Sequence, residues 1–204
     1  MKVLGIVCSP RRGGNTEVLV EEALSSAKEF GAEVELVTLA DKNITPCDGC
    51  ESCEKSGKCR IEDDMQEMCS KLLETDGVIF GTPVYFWSAT AQAKALIDRT
   101  YVLLQGRRLR NKVAGVIVVA RRTGTAHAFS VFQSFFNLQF MVPAGAVAFG
   151  KEEEMRRSNR MVGAIAYAGE KGEVREDRRG MAEAAALGRN IVKTIQSCRK
   201  SGLI

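Results

Sequence analysis

Short apolar runs alternate along this chain with longer segments in which apolar residues recur every three or four positions. The runs cover residues 1–8, 34–39, 77–80, 113–120 and 142–149. Apolar runs of this length, bounded by Gly, Pro and Ser, predict β-strands, and the unbroken run at 113–120 is typical of a strand buried on both faces. Pro143 and Gly145 lie inside the last run, where they weaken a central strand.

Helical periodicity fills the segments between these runs. It begins after Asn15, Asp63 and Ser88, each of which can cap a helix N-terminus, and it recurs at 129–140 and 187–195. Gln66, three residues after Asp63, can act as its reciprocal capping partner. The charged stretch 151–180 predicts a surface excursion. Because strands and helices alternate, we expect an α/β fold with a doubly wound, five-stranded parallel sheet.

Length and composition place the chain among globular proteins. Its 204 residues suit a single domain over 1–204, and the apolar and charged fractions of 45% and 26% exclude a largely disordered chain, a collagen-like chain and a coiled-coil rod. The net charge of +4 is too small to predict a nucleic-acid partner. The apolar runs are shorter than the roughly 20 residues that span a bilayer, and no export signal precedes Ser9, so we expect a cytoplasmic protein without a membrane partner.

Residues 9–16, which we call the phosphate loop, join the first predicted strand to the first predicted helix. Ser9, Arg11, Asn15 and Thr16 supply hydroxyl, guanidinium and amide groups next to the free N–H groups and the positive dipole of a helix N-terminus. The loop is neither a Walker A nor a G-x-G-x-x-G sequence, so a phosphate monoester fits it better than a triphosphate or a dinucleotide. The alternative is an ordinary polar turn between a strand and a helix.

Two further strand ends carry residue types that suit a flat ring. The third strand is followed by Thr82, Pro83, Val84, Tyr85 and Phe86, and the fourth by Arg121, Arg122, Thr123 and Gly124. Aromatic side chains offer an apolar surface, and arginine donors can meet ring carbonyl oxygens. Since such strand ends meet at one edge of a doubly wound sheet, they predict, with the phosphate loop, a flavin mononucleotide (FMN) site. The simpler alternatives are a core aromatic run and a basic turn.

Four of the seven cysteines lie within thirteen residues, on an aperiodic segment at about 40–62 that we call the cysteine loop. They are Cys47, Cys50, Cys53 and Cys59. Zinc ribbons and fingers pair two ligands, leave a longer gap and pair two more, whereas successive three-residue steps resemble the ligand run of an iron–sulfur cubane. Zinc and free thiols are the alternatives, and Cys69 is a further candidate ligand. We expect Cys8 to be a small core residue.

In combination, these motifs resemble the iron–sulfur flavoproteins, a branch of the NADPH-dependent FMN reductase group within the flavodoxin-like fold. The resemblance rests on the phosphate loop, the cysteine run and residues 63–65, 81–86 and 94–99. It implies a flavodoxin-like sheet with the cysteine loop inserted after the second strand. It also implies one FMN and one [4Fe–4S] cluster per chain, in a homo-dimer or homo-tetramer.

The same resemblance implies a role for each candidate residue. The FMN phosphate would be held by Ser9, Arg11, Asn15 and Thr16. The ribityl chain and ring would be lined by Thr82, Pro83, Val84, Tyr85 and Phe86, and the ring edge would be bordered by Arg121, Arg122, Thr123 and Gly124. The cluster would be ligated by Cys47, Cys50, Cys53 and Cys59. We expect no side chain to act as a nucleophile or an acid.

The leading hypothesis is therefore an FMN-dependent oxidoreductase that passes electrons between a [4Fe–4S] cluster and FMN to a downstream acceptor. Its electron donor would be a ferredoxin-type protein or NAD(P)H. The alternative is an NAD(P)H-dependent FMN or quinone reductase without a cluster, since related reductases keep parts of the cysteine run without one. A third hypothesis is a flavodoxin-like carrier or binding module without enzymatic activity.

Overall fold

A parallel sheet forms the centre of the protein in a computed structural model that describes residues 1–145 and 163–204. Within that part of the chain its strands are β1 (Lys2–Val7), β2 (Glu33–Thr38), β3 (Gly77–Pro83), β4 (Val113–Ala120), β5 (Val142–Pro143) and β6 (Gly163–Tyr167). The order is β2-β1-β3-β4-β5, β6 also pairs with β4, and every pairing is parallel. This is the flavodoxin-like arrangement, which confirms the predicted doubly wound α/β class.

Helices cover both faces of the sheet. They are α1 (Asn15–Glu29), α2 (Ser52–Ser56), α3 (Met65–Glu74), α4 (Ala91–Arg99), α5 (Tyr101–Leu104), α6 (Thr125–Leu138) and α7 (Arg178–Lys200). Alternate residues of β1 enter opposite cores: Val3 and Val7 pack with α1 and α7, whereas Leu4 and Ile6 pack with α3, α4 and α6. No helix in the described ranges is both long enough and apolar enough to cross a membrane.

Two separate segments share the position of the fifth strand. β5 pairs with Val113 and Ala114 at the start of β4, and β6 pairs with β4 from Val116 to Ala120. The predicted strand at 142–149 therefore extends only through Pro143 among the described residues, and positions 146–149 lie outside them. Together, β5 and β6 continue the sheet along most of the length of β4.

The prediction of a surface excursion over 151–180 is wrong for its central part. β6 falls inside this stretch, and all of its residues except Tyr167 are buried. The strand was not predicted because charged residues lie on both sides of this apolar segment and made the whole stretch look exposed. The far edge of β4 provides the physical reason for a strand here, because its backbone groups need hydrogen-bonding partners in the buried sheet.

The predicted helix after Ser88 begins slightly later and is broken into pieces. α4 starts at Ala91, where Thr90 Oγ1 accepts a hydrogen bond from the backbone N–H of Ala93 (3.1 Å). After Arg99 the chain continues as the short α5 and a 3₁₀ turn at Gln105–Arg107. Between β2 and α3, the cysteine loop contains α2 and the end of a 3₁₀ turn (Leu39–Asp41). The loop thus has little regular structure to fix its shape.

Candidate functional site

A cavity of about 260 Å³ opens beyond the carboxyl ends of β1, β3 and β4. The predicted site residues that line it are Ser9, Arg11, Asn15, Thr16, Pro83, Val84, Tyr85 and Arg121. The remaining predicted residues of the FMN site, which do not line it, are Thr82, Phe86, Arg122, Thr123 and Gly124. Three loops that are far apart in sequence thus meet at the edge where doubly wound sheets bind their ligands.

The phosphate loop forms one side of this cavity. Ser9 is buried, and its Oγ accepts a hydrogen bond from the backbone N–H of Arg11 (3.1 Å). The backbone N–H groups of the first turn of α1 have no intrahelical acceptors, and the helix dipole makes this end positive. The backbone N–H of Gly13 donates to the Glu17 carboxylate (2.7 Å), so the loop already holds one negatively charged group. This geometry suits a phosphate monoester.

The Asn15 side chain connects the phosphate loop to the segment that follows β6. Its Nδ2 donates to the carbonyl oxygen of Glu170 (2.7 Å), and its Oδ1 accepts from the backbone N–H of Gly172 (2.8 Å). Sequence reasoning missed this segment, which brings Ala168, Gly169 and Lys171 to the cavity. The available signal was the apolar run at 163–167, because a strand recognised there would have placed the next residues at the same edge.

An unusual aromatic turn follows β3. Tyr85 and Ser88 exchange two backbone hydrogen bonds (2.9 and 3.0 Å), and between them Phe86 and Trp87 both adopt left-handed backbone angles, with φ of 49° and 66°. This conformation costs roughly 1–2 kcal/mol for each non-glycine residue. Phe86 is fully exposed, and Trp87 is 58% exposed. Backbone strain concentrates at functional sites, and here it holds two aromatic rings in solvent beside the cavity.

Thr82 stabilises the aromatic turn through hydrogen bonds. Its side chain is buried, accepts a hydrogen bond from the backbone N–H of Thr90 (3.4 Å) and donates to the carbonyl oxygen of Pro83 (3.0 Å). Thr90 Oγ1 in turn donates to the carbonyl oxygen of Cys8 (2.6 Å), directly before the phosphate loop. The start of α4 is therefore hydrogen-bonded to the ends of both β1 and β3.

Gly124 lets the loop after β4 approach the aromatic turn. Its φ is +91°, and a Cβ atom added there would lie 2.9 Å from Trp87 Cα and 2.9 Å from Val84 Cγ1. Any larger residue would push the two loops apart, and it would also strain the backbone. Arg122 and Thr123, just before Gly124, are exposed to solvent. The width of the cavity thus depends on a glycine at this position.

The cavity favours negatively charged ligands. Arg11, Arg121 and Lys171 line it. The N–H groups of Glu170 and Gly169 both donate to the Glu173 carboxylate (2.7 and 2.6 Å) and lower the pKa of that carboxyl group. The phosphate loop, three cations and the Tyr85 ring together fit FMN.

The four cysteines of the run lie on the surface loop between β2 and α3. Cys47 and Cys50 are exposed, whereas Cys53 and Cys59 are partly buried. Asp48 forms an ion pair with Arg60 and accepts a hydrogen bond from the backbone N–H of Cys50 (3.2 Å). Within the ranges that the structure describes, no three His, Cys, Asp or Glu side chains are already placed to hold a metal ion.

The Cys53 thiol nevertheless lies within electrostatic reach of the other three. Burial raises the pKa of the Cys53 thiol, and the charges of Cys59, Cys50 and Cys47 raise it further. Thiolates that repel each other at this range are stabilised by a shared cation, and soft thiolate sets select iron–sulfur clusters or zinc. The chemistry of this donor set therefore fits a metal centre.

A second cavity, of about 610 Å³, lies beside the cysteine loop. Its lining includes Cys59, Cys69, Asp63, Arg99 and Arg108. Burial raises the pKa of the Cys69 thiol to about 11, so this thiol is neutral at pH 7. Cys8 is fully buried, as expected for a core residue.

Comparison with known proteins identifies relatives among the flavoproteins and the FMN reductases. The model of the NADPH-dependent FMN reductase family matches residues 1–154. An iron–sulfur flavoprotein of Methanocaldococcus jannaschii is 46% identical over 147 residues, which are 71% of this chain and 76% of the relative. An iron–sulfur flavoprotein of Archaeoglobus fulgidus is 33% identical over 202 residues, 98% of each chain.

Solved structures support the same fold. The structure of RosB with a bound 8-demethyl-8-formylriboflavin-5′-phosphate intermediate superposes with a TM-score of 0.76. The match covers 98% of this chain and 81% of that one, at 18% sequence identity. At this level of identity the similarity concerns the arrangement of strands and helices alone.

Proposed function

The chain belongs to the NADPH-dependent FMN reductase family, and we propose that within it this protein is an iron–sulfur flavoprotein that passes electrons between a [4Fe–4S] cluster and FMN to a downstream acceptor. Family membership makes it an FMN-dependent oxidoreductase. The observation that carries the finer proposal is the occurrence, on one sheet, of a cavity lined by the phosphate loop and three cations and of a loop that carries four cysteines within thirteen residues.

In this proposal the first cavity holds FMN. Ser9, Arg11 and Thr16 bind the phosphate together with the N–H groups of the first turn of α1, and Asn15 fixes the loop after β6 against it. The ribityl chain and ring lie against Pro83, Val84 and Tyr85, with Thr82 and Gly124 shaping the turn behind them and Phe86 at the rim. Arg121, Arg122 and Thr123 border the ring edge.

The cluster is held by Cys47, Cys50, Cys53 and Cys59 in the same proposal. All four thiols lie on one segment whose regular structure is limited to the short helix α2 and the end of a 3₁₀ turn, so the backbone between the cysteines can adjust around a metal centre. When both groups are bound, the cluster exchanges single electrons and FMN exchanges one or two, so the pair suits the connection of one-electron donors to two-electron acceptors. The protein's own contribution is to bind, orient and shield the two groups.

The test is metal and flavin analysis of anaerobically purified protein. We expect one FMN, four iron and four sulfide per chain, and loss of iron in each of Cys47→Ser, Cys50→Ser, Cys53→Ser and Cys59→Ser. Cys198→Ser is the control, since this cysteine lies at the end of α7. Loss of iron in Cys69→Ser would show that Cys69 is a ligand, and full iron content would exclude it. Wild-type protein with bound flavin but zinc or no metal at the cysteines would overturn the cluster assignment.

A second candidate, an NAD(P)H-dependent FMN or quinone reductase without a cluster, is favoured by one observation. The aromatic turn stands open to solvent beside the cavity, which gives a nicotinamide ring access to the flavin face. Rapid flavin bleaching by NADPH alone, in protein free of iron, supports this candidate. Bleaching that requires a reduced ferredoxin-type protein supports the first.

Self-association is part of the proposal as well. Large apolar side chains remain exposed on the single chain, among them Phe86, Trp87, Leu138 and Phe140. Phe86 and Trp87 are adjacent in the aromatic turn, and an exposed apolar patch of this kind can serve as a contact surface. We expect a homo-dimer or homo-tetramer in sedimentation equilibrium, and a monomer at micromolar concentration would contradict this part.

A further inference from the structure

A buried arginine at the end of α4 holds the chain on both sides of the four cysteines. Arg99 Nη1 donates a hydrogen bond to the carbonyl oxygen of Thr45 (2.6 Å), and Nη2 donates to the carbonyl oxygen of Ile61 (3.1 Å). Thr45 stands two positions before Cys47, and Ile61 stands two positions after Cys59. One side chain thus spans the ends of the ligand run.

Asp63 completes this contact. Its two carboxylate oxygens accept from the two Nη atoms of Arg99 (2.8 and 2.9 Å), and the paired side chains are only 1% and 3% exposed. The same carboxylate accepts from the backbone N–H groups of Thr45 (2.8 Å) and Met65 (3.0 Å). The backbone N–H of Asp63 donates to Gln66 Oε1 (3.1 Å), which is one half of the predicted capping pair, but α3 begins one residue later than predicted, with Asp64 at its N-cap and no side-chain capping bond. The carboxylate predicted only as a cap therefore also joins the loop to α4.

The third guanidinium nitrogen of Arg99, Nε, bonds neither to the loop carbonyls nor to Asp63. Arg99 Nε is buried and, within the described part of the chain, has no hydrogen-bond acceptor. Buried donors without a partner are rare and costly, so this one calls for an explanation. Arg99 and Cys59 line the same 610 Å³ cavity. Ile61, whose carbonyl oxygen accepts from Arg99 Nη2 (3.1 Å), follows Cys59 by two residues, which places Cys59 beside the guanidinium group.

We propose that Arg99 is a positioning residue for the metal centre: its Nη atoms fix the spacing of the chain around the four cysteines, and its Nε–H donates to the sulfur of Cys59. This inference rests on the proposed function. Hydrogen bonds to cluster sulfurs and a nearby positive charge stabilise the more negative, reduced state, so Arg99 raises the reduction potential. A lysine cannot replace it, because one ammonium group cannot hold two carbonyls and a bidentate carboxylate at once.

The experiment compares Arg99→Lys with Arg108→Gln in anaerobically purified full-length protein. Arg108 is an exposed cation that lines the same cavity, and none of its side-chain bonds reaches the cysteine loop. Three quantities are measured: iron and sulfide per chain, the midpoint potential of the bound cluster, and the rate of proteolytic cleavage within residues 42–62 after the metal is removed. Bound FMN reports whether each variant is folded.

We expect Arg99→Lys to bind FMN fully but to retain less than half of the iron, with a lower midpoint potential in what remains. Cleavage of the metal-free loop should be about tenfold faster, since the loop ends open more often. Arg108→Gln should match wild type in iron content and cleavage rate, and its midpoint potential should fall less than that of Arg99→Lys. Wild-type iron, potential and cleavage rate in Arg99→Lys would overturn the proposal.

Two further outcomes are also decisive. If Arg99→Lys fails to fold, the double variant Arg99→Met/Asp63→Asn removes both charges together and replaces it, with the same expectations. If the wild-type protein holds no cluster, the proposed function fails. The claim that Arg99 fixes the loop is then tested by the cleavage rate alone.

Discussion

The buried Arg99–Asp63 pair gives the sharpest prediction about stability. Arg99→Met leaves the Asp63 carboxylate, 3% exposed, without its charged partner, and it removes two hydrogen bonds to loop carbonyls. Breaking a buried pair in this way costs about 3–5 kcal/mol. Arg99→Met/Asp63→Asn removes both charges and should be less destabilised than Arg99→Met by about 1–3 kcal/mol.

The pKa of Asp63 gives a second magnitude for the same contact. Burial, the largest influence, raises this pKa, but the hydrogen bonds from Arg99, Thr45 and Met65 outweigh burial and lower it to about 2. An unfolded aspartate titrates near 3.9, so the ionised form adds about 2–3 kcal/mol to stability. Because the folded pKa is the lower one, this contribution is complete at pH 7 and is lost as the pH falls from about 4 through 2.

Urea unfolding at pH 7, followed by far-UV circular dichroism, measures these free energies. The matched control is Lys94→Met, because Lys94 pairs with Asp98 on the same helix (2.6 Å) while the two side chains are 59% and 41% exposed. An exposed pair of this kind contributes only about 0.3–0.5 kcal/mol. Equal destabilisation by Arg99→Met and Lys94→Met, or additive effects in the Arg99/Asp63 cycle, would refute the reasoning.

Three further predictions follow from the cavity and the thiols. Gly124→Ala should weaken FMN binding at least about tenfold in calorimetry, because its Cβ would meet Trp87 and Val84 at 2.9 Å. Gly106→Ala, also at positive φ (+75°) but with only an ordinary contact to Arg108 Cγ at 3.7 Å, should not. Arg11→Gln should weaken FMN binding about tenfold but leave the binding of riboflavin, which has no phosphate, unchanged. The control is Arg12→Gln, because the Arg12 side chain pairs with Asp41. In metal-free protein at pH 8, iodoacetamide should label Cys50 long before Cys69, because a hydrogen bond with Ser52 lowers the pKa of Cys50. Labelling of Cys69, followed by mass spectrometry, should rise as the pH approaches 11.

The strands and their ends were predictable because their signals are local. An unbroken apolar run such as Val113–Ala120 has few alternatives to a buried strand, and each such strand carries its following loop to one edge of the sheet. Three of the four loops that line the cavity could therefore be named from sequence before their distances were known. β6 was missed because five apolar residues inside a charged stretch carry a weak local pattern.

The support around the site could not be predicted in the same way. Arg99 bonds to residues 36 to 54 positions away in sequence, and Asn15 bonds to residues 155 and 157 positions away. No periodicity distinguishes a buried arginine on α4 from an exposed one, and an asparagine at a helix start looks like a cap. Such roles depend on which segments the fold brings together, and the sequence pattern contains no record of that.

One helix joins the two proposed cofactor sites. At the start of α4, Thr90 is bonded to the carbonyl oxygen of Cys8, directly before the phosphate loop, and at its end Arg99 holds the cysteine loop. The nine residues of α4 extend about 14 Å at 1.5 Å per residue. Since both anchoring side chains are buried, the loops cannot shift relative to each other without breaking a buried hydrogen bond. The cysteine loop, although exposed and irregular, is therefore held at a fixed place relative to the FMN cavity.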